Sequence, residues 1–476
     1  MEQRYIFTLL AFIGNMINMF GRDSLRIGVL AIRAEYETCL QNTSSLLVLR
    51  PTNLSTECGP IVWDDGSVAQ LLGSFNYGMV LTMLVGGPVA DMVGGKYVLL
   101  LTTLVSSLSC LVLPLLVASS LPLLLASQLV YGMSGGLVVP ALSSMIARWE
   151  PLSERGRLAT LIYSGSQASA VGTAVFSGIV MHSLDWRLVF LLLGSLPLLW
   201  LLPWLCLVSD SPLQRRGISQ EELHLLLAET ATSCSRPRLR DIPVRSILCS
   251  GPVWGAVLGN AGVAWAAAHT SLLLPQYLAG ELHLPLHHTG VAAALPYLGC
   301  CLAGLLSSLL YSWLVRARGL APTTARKLCS SLCLWGFALL CLPLSLLPSD
   351  PFLVTLLSSA SYSLMGFNLV GAWSAPQDMA PNYVATVMGL VGLVSYLVTA
   401  LVPHTLGLAA SLLPPQQVWP GLFLLVAAVA FLANLAFLGL GSSQLQSWNW
   451  CRDQGSQVEE EGRTWASGGK GRLVRV

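Results

Sequence analysis

Apolar runs long enough to cross a bilayer recur along the whole of this chain, and they decide what it can fold into. A helix needs about 20 mostly apolar residues to span the hydrocarbon core. Twelve such runs occur, at about 6–32, 67–90, 97–118, 121–147, 158–182, 186–208, 249–279, 288–314, 326–346, 351–376, 383–410 and 418–441. In lipid each backbone N–H and C=O must be satisfied within the structure, so each run is predicted to be helical. A β-barrel is not indicated: the runs are too long, and Leu fills them where alternation would be needed. The first run is also too long for a cleavable signal peptide and leads to no small-residue cleavage site. The expected fold class is an all-α membrane protein, with twelve transmembrane helices in two six-helix bundles.

Composition agrees. Charged residues make up 10% of the chain and apolar residues 54%, with mean hydropathy +0.68, whereas a soluble domain carries about 25% charged residues. A net charge of +2 offers no concentrated basic face, so nucleic acid is not an expected partner. The lipid bilayer is. The seven His are dispersed, the cysteines show no metal spacing, and no phosphate-cradling Gly-x-x-x-x-Gly-Lys-Ser/Thr run occurs. No hydrolytic site, ATP-driven pump, metal or cofactor is expected, and the chain reads as no enzyme.

An even number of spans puts both termini on one side. Twenty of the 25 Lys and Arg then fall on the terminus side, three (Arg33, Arg50, Arg187) on the other, and two (Arg22, Arg26) inside span 1. Basic residues concentrate in cytoplasmic loops, so both termini are expected in the cytoplasm. The longest interior loop divides the chain into an N-terminal bundle (1–208), a middle loop (209–248), a C-terminal bundle (249–441) and a tail (442–476) read as mobile and polar. Within the middle loop, Ser219 and Glu222 have the spacing of a capping box for a short surface helix.

The first exterior loop, about 33–66, carries two glycosylation sequons, at Asn42 and Asn53, and the two exterior cysteines, Cys39 and Cys58. Glycans and disulfides both belong to the lumenal or extracellular face, so a Cys39–Cys58 bond is one reading and two free thiols the other.

Between spans 2 and 3 the chain reads Gly87-Pro88-Val89-Ala90-Asp91-Met92-Val93-Gly94-Gly95-Lys96. This resembles the loop 2–3 signature of the major facilitator superfamily, with Met92 where a basic residue often follows the Asp. Further matches narrow it. They are Arg22-Asp23-Ser24-Leu25 in span 1, Trp149-Glu150-Pro151-Leu152-Ser153-Glu154-Arg155-Gly156-Arg157-Leu158 in loop 4–5, and Asp378-Met379-Ala380-Pro381 after span 10. Together they look like the organic-anion and sodium–phosphate cotransporter family, which includes sialin and the vesicular glutamate and nucleotide transporters. The resemblance covers about residues 4–441. It implies a major facilitator fold and a gate formed by Gly87, Asp91, Gly94, Lys96, Glu154, Arg155, Arg157 and Asp378. The departures lie within the spans. The Arg and Glu that the family carries in span 4 are Gln128 and Gly135 here, and the span 10 Asn is Ala375. Of the family's charged positions in the spans compared, Arg22 is kept.

Charges within a span are expensive, about 2.5–3.5 kcal/mol on insertion scales, and mark function by default. Asp23 and Arg26 are three apart and close enough to pair, which would leave Arg22 as an uncompensated cation on a cavity wall. A guanidinium presents paired planar donors that suit carboxylate or phosphate. Arg22 and Arg26 are therefore candidate anion anchors; a structural ion pair is the other reading. Asn18, Tyr77, Gln128, Tyr131, Trp265, His269, Asn368 and Trp373 are candidate cavity-lining residues, and helix–helix hydrogen bonding is the alternative for each. Asp23 is the one carboxylate well inside a span and lies beside cations, with His269 the other titratable candidate. Tight proton coupling is therefore not expected.

The function expected from these readings is a secondary active or facilitative carrier of small organic anions that works by alternating access. It would be monomeric, in the plasma membrane or an endolysosomal or vesicular membrane, with symport of a co-transported ion as one mode of coupling. Two alternatives remain: a carrier of neutral or zwitterionic solutes, and a non-transporting scaffold or sensor.

Overall fold

Helix after helix follows the hydropathy. A computed structural model describes residues 2–47, 65–183, 185–215, 217–229, 242–273, 286–346 and 351–449, with Ile61, Trp63 and Tyr277. The long helices of the first half are α1 (Gln3–Leu47), α2 (Asp65–Val93), α3 (Gly95–Val117), α4 (Leu121–Trp149), α5 (Leu152–Ser183) and α6 (Trp186–Leu207). Those of the second half are α7 (Gly251–Ala268), α8 (Leu286–Arg316), α9 (Pro322–Leu346), α10 (Pro351–Ser363), α11 (Val384–Leu412) and α12 (Val418–Leu440). A π-helical turn, His269–Leu273, prolongs α7, and a 3-10 turn, Leu364–Leu369, prolongs α10.

Nine of the described helices are long and apolar enough to cross a membrane by length and composition. The three that fall short are α1, α5 and α7. α1 carries Asn15, Asn18, Arg22 and Asp23, α5 is rich in Ser and Gly, and α7 is short before its π turn. Polar side chains in a span face a bundle interior or a cavity, so low hydropathy here marks helices with a polar face turned inward. Outward, Leu115, Leu199, Leu346, Phe352 and Leu412 are largely exposed, which suits lipid and not water.

Within the first half α2 packs on α4, α1 on α5 and α6, and α3 on α4 and α6. Gly78 and Gly132 bring the α2 and α4 backbones together; a Cβ on either would collide with the other helix's main chain. Within the second half α12 packs on α7 and α9, and α10 on α8. Each half has its own apolar core, one around Trp149, Trp200 and Trp204, another around Phe337, Tyr362 and Val426. The halves meet where α11 lies on α2 and α4, and α8 on α5.

Three sequence expectations change. Span 1 does not end near residue 32, because α1 runs on to Leu47. The stretch beyond residue 32 holds no Gly or Pro and many good helix formers, so the helix outlasts its apolar run. Span 10 turns 3-10 at Leu364, and a separate short helix, Ala375–Met379, follows. The tail is not free from residue 442. Gln446 N–H donates to Met379 O at 2.9 Å, Asn382 N–H donates to Asn449 Oδ1 at 3.0 Å, and the Trp448 ring lies tilted toward Tyr383.

Of the capping box expected in the middle loop the Ser219 half forms, with Glu222 N–H donating to Ser219 Oγ at 3.2 Å. The Glu222 carboxylate then accepts from two unpaired N–H groups at the start of α1, Gln3 at 3.1 Å and Arg4 at 2.9 Å. Cys39 is disulfide-bonded. Cys58 and Asn53 lie outside the described residues, and Asn42 stands in the last turns of α1.

Candidate functional site

The charged turn of α1 is held from three helices. Asn18 Nδ2 donates to Thr103 Oγ1 of α3 at 2.9 Å. Ser169 Oγ of α5 donates to Asp23 Oδ2 at 3.0 Å. Tyr131 of α4 acts directly on the backbone. Its Oη accepts from Arg22 N–H at 2.9 Å and donates to Asn18 O at 3.0 Å. In a regular helix those two groups bond to each other, so the tyrosine hydroxyl is inserted into the α1 ladder, a recognised cause of a local bend. Gly21 makes room: a Cβ there would stand 2.6 Å from Tyr131 Oη.

Among the described residues Asp23 pairs with Arg22. Arg22 Nε and Nη2 both reach Asp23 Oδ1 at 3.1 Å. The Arg26 side chain lies outside what is described. A long guanidinium can fold back on its neighbour, and Ser169 holds Asp23 in place for it. The Arg22 side chain keeps 22% exposure, and among the described residues no hydrogen bond occupies Nη1. Tyr396 of α11 comes close enough to interact electrostatically with the guanidinium. It packs against Phe75, Met79 and Tyr131, and the Phe75 and Tyr131 rings meet edge-on at 5.1 Å. Arg22 is thus walled by α1, α2 and α4 from one half and by α11 from the other. Gln128, one turn from Tyr131, is buried with Oε1 unpartnered.

Other expected lining residues lie elsewhere. Tyr77 is exposed and shares its helical face with exposed Leu81, Leu84 and Val85, the outward side of α2. The Trp265 and His269 rings lie 4.6 Å apart, tilted against each other, but they face the interior of the second half. There His269 contacts Trp265 O and Thr405 Oγ1. Asn368 bonds Asn260 at 2.9 Å within that half. Trp373 stands at the seam, edge-on to Tyr163 at 5.5 Å.

The expected gate residues gather at the terminus end, in two groups. Gly87, Asp91 and Arg155 reach across the seam. A Cβ on Gly87 would meet Thr386 Cα at 2.5 Å. Thr386 Oγ1 donates to Asp91 Oδ2 at 3.1 Å, and Arg155 Nη1 donates to Gln377 O at 3.3 Å. Gln377 Nε2 also donates to Tyr163 Oη at 3.2 Å, and Arg316 Nη2 donates to Ser153 O at 2.9 Å. These contacts close the molecule at this end.

The remaining gate residues act within one half. Gly94 sits at φ 102°, a left-handed position, with its Cα against the Asp210 carboxylate. Lys96 N–H donates to Asp210 Oδ1 at 3.2 Å, and Arg148 pairs with Asp210 at 2.8 Å. Glu154 lies 3.6 Å from Arg4 and 3.7 Å from Arg157. Asp378 pairs with buried Arg326 at 2.6 Å. Sequence reading missed Tyr396, Gln377 and Thr386. They are neutral residues, Tyr396 and Thr386 within an apolar run and Gln377 just after one, and neither charge nor periodicity singles them out.

The Major Facilitator Superfamily profile matches residues 11–403. Human sialin is 28% identical over 390 residues, covering 81% of this chain and 77% of sialin. The mouse sodium-dependent phosphate transport protein 3 is 25% identical over 463 residues, covering 94% of this chain and 95% of that protein. Among solved structures, a proton:xylose symporter of the same superfamily superposes with TM-score 0.69 at 14% identity, covering 93% of this chain and 97% of that one.

Proposed function

The chain belongs to the Major Facilitator Superfamily, and from that premise we propose that it carries small organic anions across a membrane by alternating access, with Arg22 as the anchor. The observation that carries the reading is the guanidinium itself. It is a mid-span cation, partly exposed, with Nη1 uncommitted among the described residues and with residues of both halves around it. A site touched by both halves is what alternating access requires. Similarity to sialin and to a phosphate transporter supports an anionic substrate and a divergent place among such carriers.

Pairing with Asp23 bears on the mechanism. In the closed-gate state Asp23 neutralises Arg22, so an arriving carboxylate competes for the same fork of donors. Displacing Asp23 leaves Ser169 to hold its other oxygen. Tyr131 and Gln128 complete the first half's side of the site, and Tyr396 the second's. Arg26, if it turns inward, adds a second cation.

The twenty basic residues on the terminus side support cytoplasmic termini, and Cys39 in a disulfide supports an oxidising face for the first exterior loop, with Cys58 as its partner. The division into 1–208, 209–248, 249–441 and 442–476 is kept for the two bundles, the loop and the tail. The carrier acts as a monomer in the plasma membrane or an endolysosomal membrane.

The test is uptake into proteoliposomes of a panel of small carboxylates, phosphate and matched neutral solutes. Anion uptake lost in Arg22→Ala supports the reading. Uptake confined to neutral solutes, or anion uptake unchanged in Arg22→Ala, overturns it.

A further inference from the structure

Glu150 follows the last turn of α4, in a connection where a carboxylate ordinarily meets water. Here it is 0% exposed. Neither carboxyl oxygen has a hydrogen-bond partner among the described residues. Arg155 is adjacent, but its Nε and Nη2 donate to the Glu150 main-chain carbonyl at 3.2 and 3.1 Å, and its Nη1 to Gln377 O. Through these bonds the cation reaches backbone acceptors and ties the Glu150 turn to the second half.

The groups that face Glu150 are few. From α5 they are Arg155, Glu154 and the Tyr163 hydroxyl. From the second half comes Gln377, whose Nε2 is given to Tyr163 and whose Oε1 is itself unpartnered. Among the described residues, Arg148 is engaged with Asp210, Arg326 with Asp378, and Asp91 with Thr386.

An ionised carboxylate enclosed without a donor costs several kcal/mol, whereas a neutral carboxyl carries only the penalty of a buried hydroxyl and carbonyl. Burial pushes this carboxyl well above the usual carboxylate range; Arg155 pulls it back and Glu154 raises it again. Sequence reading placed Glu150 in a loop, so it never entered the argument against proton coupling.

We infer that Glu150 is a proton-binding site of the terminus-side gate. Its carboxylate takes a proton from water on that side as the halves close, and the carboxyl returns it to the same side when they part. The step is a single protonation, with no other bond made or broken, and it does not depend on the identity of the substrate. The closed state binds one proton more than the open state, so acid on the terminus side favours closure. The closed-to-open ratio changes by up to about tenfold per pH unit and is lost as pH rises through the closed-state value.

The test uses the full chain in lipid nanodiscs without substrate, so it stands apart from the anion reading. Amide hydrogen exchange, corrected for intrinsic rates, is followed at the seam segments 83–91 and 384–392 between about pH 5 and 8. In the wild type, seam protection should grow as pH falls. Glu150→Gln, which mimics the neutral carboxyl, should stay protected throughout and lose the slope. A wild type without a slope, or Glu150→Gln with the wild-type slope, overturns the proposal. Infrared spectroscopy gives a second readout. The wild type at neutral pH should show a protonated-carboxyl C=O band, and its absence overturns the proposal even where the variant fails to fold.

Discussion

Replacing Gly87 by Val should force the terminus-side gate open. In the closed state the new Cβ would stand 2.5 Å from Thr386 Cα and 2.6 Å from Ala385 O. Both are main-chain atoms of α11 and cannot swing aside as a flexible side chain can. When α2 and α11 part, the same side chain meets lipid or water and clashes with nothing. The penalty therefore falls on one state. Overpacking a close contact costs typically 1–3 kcal/mol, which moves the closed-to-open ratio by roughly 5- to 150-fold. The assay is alkylation of Ala385→Cys, a fully buried seam position, with and without Gly87→Val, each corrected for labelling of the parent chain. The doubly substituted protein should label faster by that factor. Equal labelling in the two would mean that α2 and α11 do not separate during opening, and the seam argument would fall.

Three further outcomes follow from the site. Arg22→Lys should restore anion transport poorly in a proteoliposome assay, because an ammonium keeps the charge and loses the planar fork. Tyr131→Phe removes both bonds of the inserted hydroxyl but lets Asn18 O and Arg22 N–H approach each other. It should lower thermal stability by only about 0.5–1.5 kcal/mol while raising the anion KM, and an unchanged KM would show that the Tyr131 hydroxyl does not set the position of Arg22. If the first loop faces the lumen as proposed, glycosidase should shift the mobility of the wild type made in a eukaryotic cell, and the shift should vanish in Asn42→Gln with Asn53→Gln.

Helix positions were legible because lipid imposes one simple demand, about twenty apolar residues per crossing, and leaves little to tertiary context. Which face of a helix looks inward was far less legible. Every face of such a helix is covered by something apolar, lipid or protein, so periodicity loses the contrast it has in a soluble protein. Trp265 and His269 do share a face, as their spacing of four requires. That face meets α9, α10 and α12 and not the opposite half. The Arg22–Asp23 pair was not legible because helical spacing describes Cβ positions, whereas an arginine reaches several ångströms from its own. Glu150 was hidden for the opposite reason. A short connection reads as solvent-exposed, and only the closed packing of α4 and α5 with the second half encloses it.

Charge is distributed unevenly about the seam. Among the described residues, the ion pairs Arg22–Asp23, Arg148–Asp210 and Arg326–Asp378 each lie within one half. The bonds that cross carry at most one charge each: Arg155 to a carbonyl, Arg316 to a carbonyl, Thr386 to Asp91. Breaking a buried ion pair costs about 3–5 kcal/mol, and a seam built of such pairs would resist opening in every cycle. Single-charge bonds contribute about 1.5–3 kcal/mol apiece, and water entering the open gate can replace them. Thr386 tests this. Thr386→Val keeps the shape and removes the hydroxyl, while the Thr386 N–H and Ser144 remain as Asp91 donors. The expected loss is about 1–2 kcal/mol, so the gate should open roughly 5- to 30-fold more often, read as faster labelling of Ala385→Cys. Asp91→Asn keeps an acceptor for Thr386 and breaks no ion pair but gives up the charge assistance, so it should label faster than the parent and more slowly than Thr386→Val. Faster labelling in Asp91→Asn than in Thr386→Val would mean that the carboxylate charge itself holds the gate, contrary to a seam of single-charge bonds.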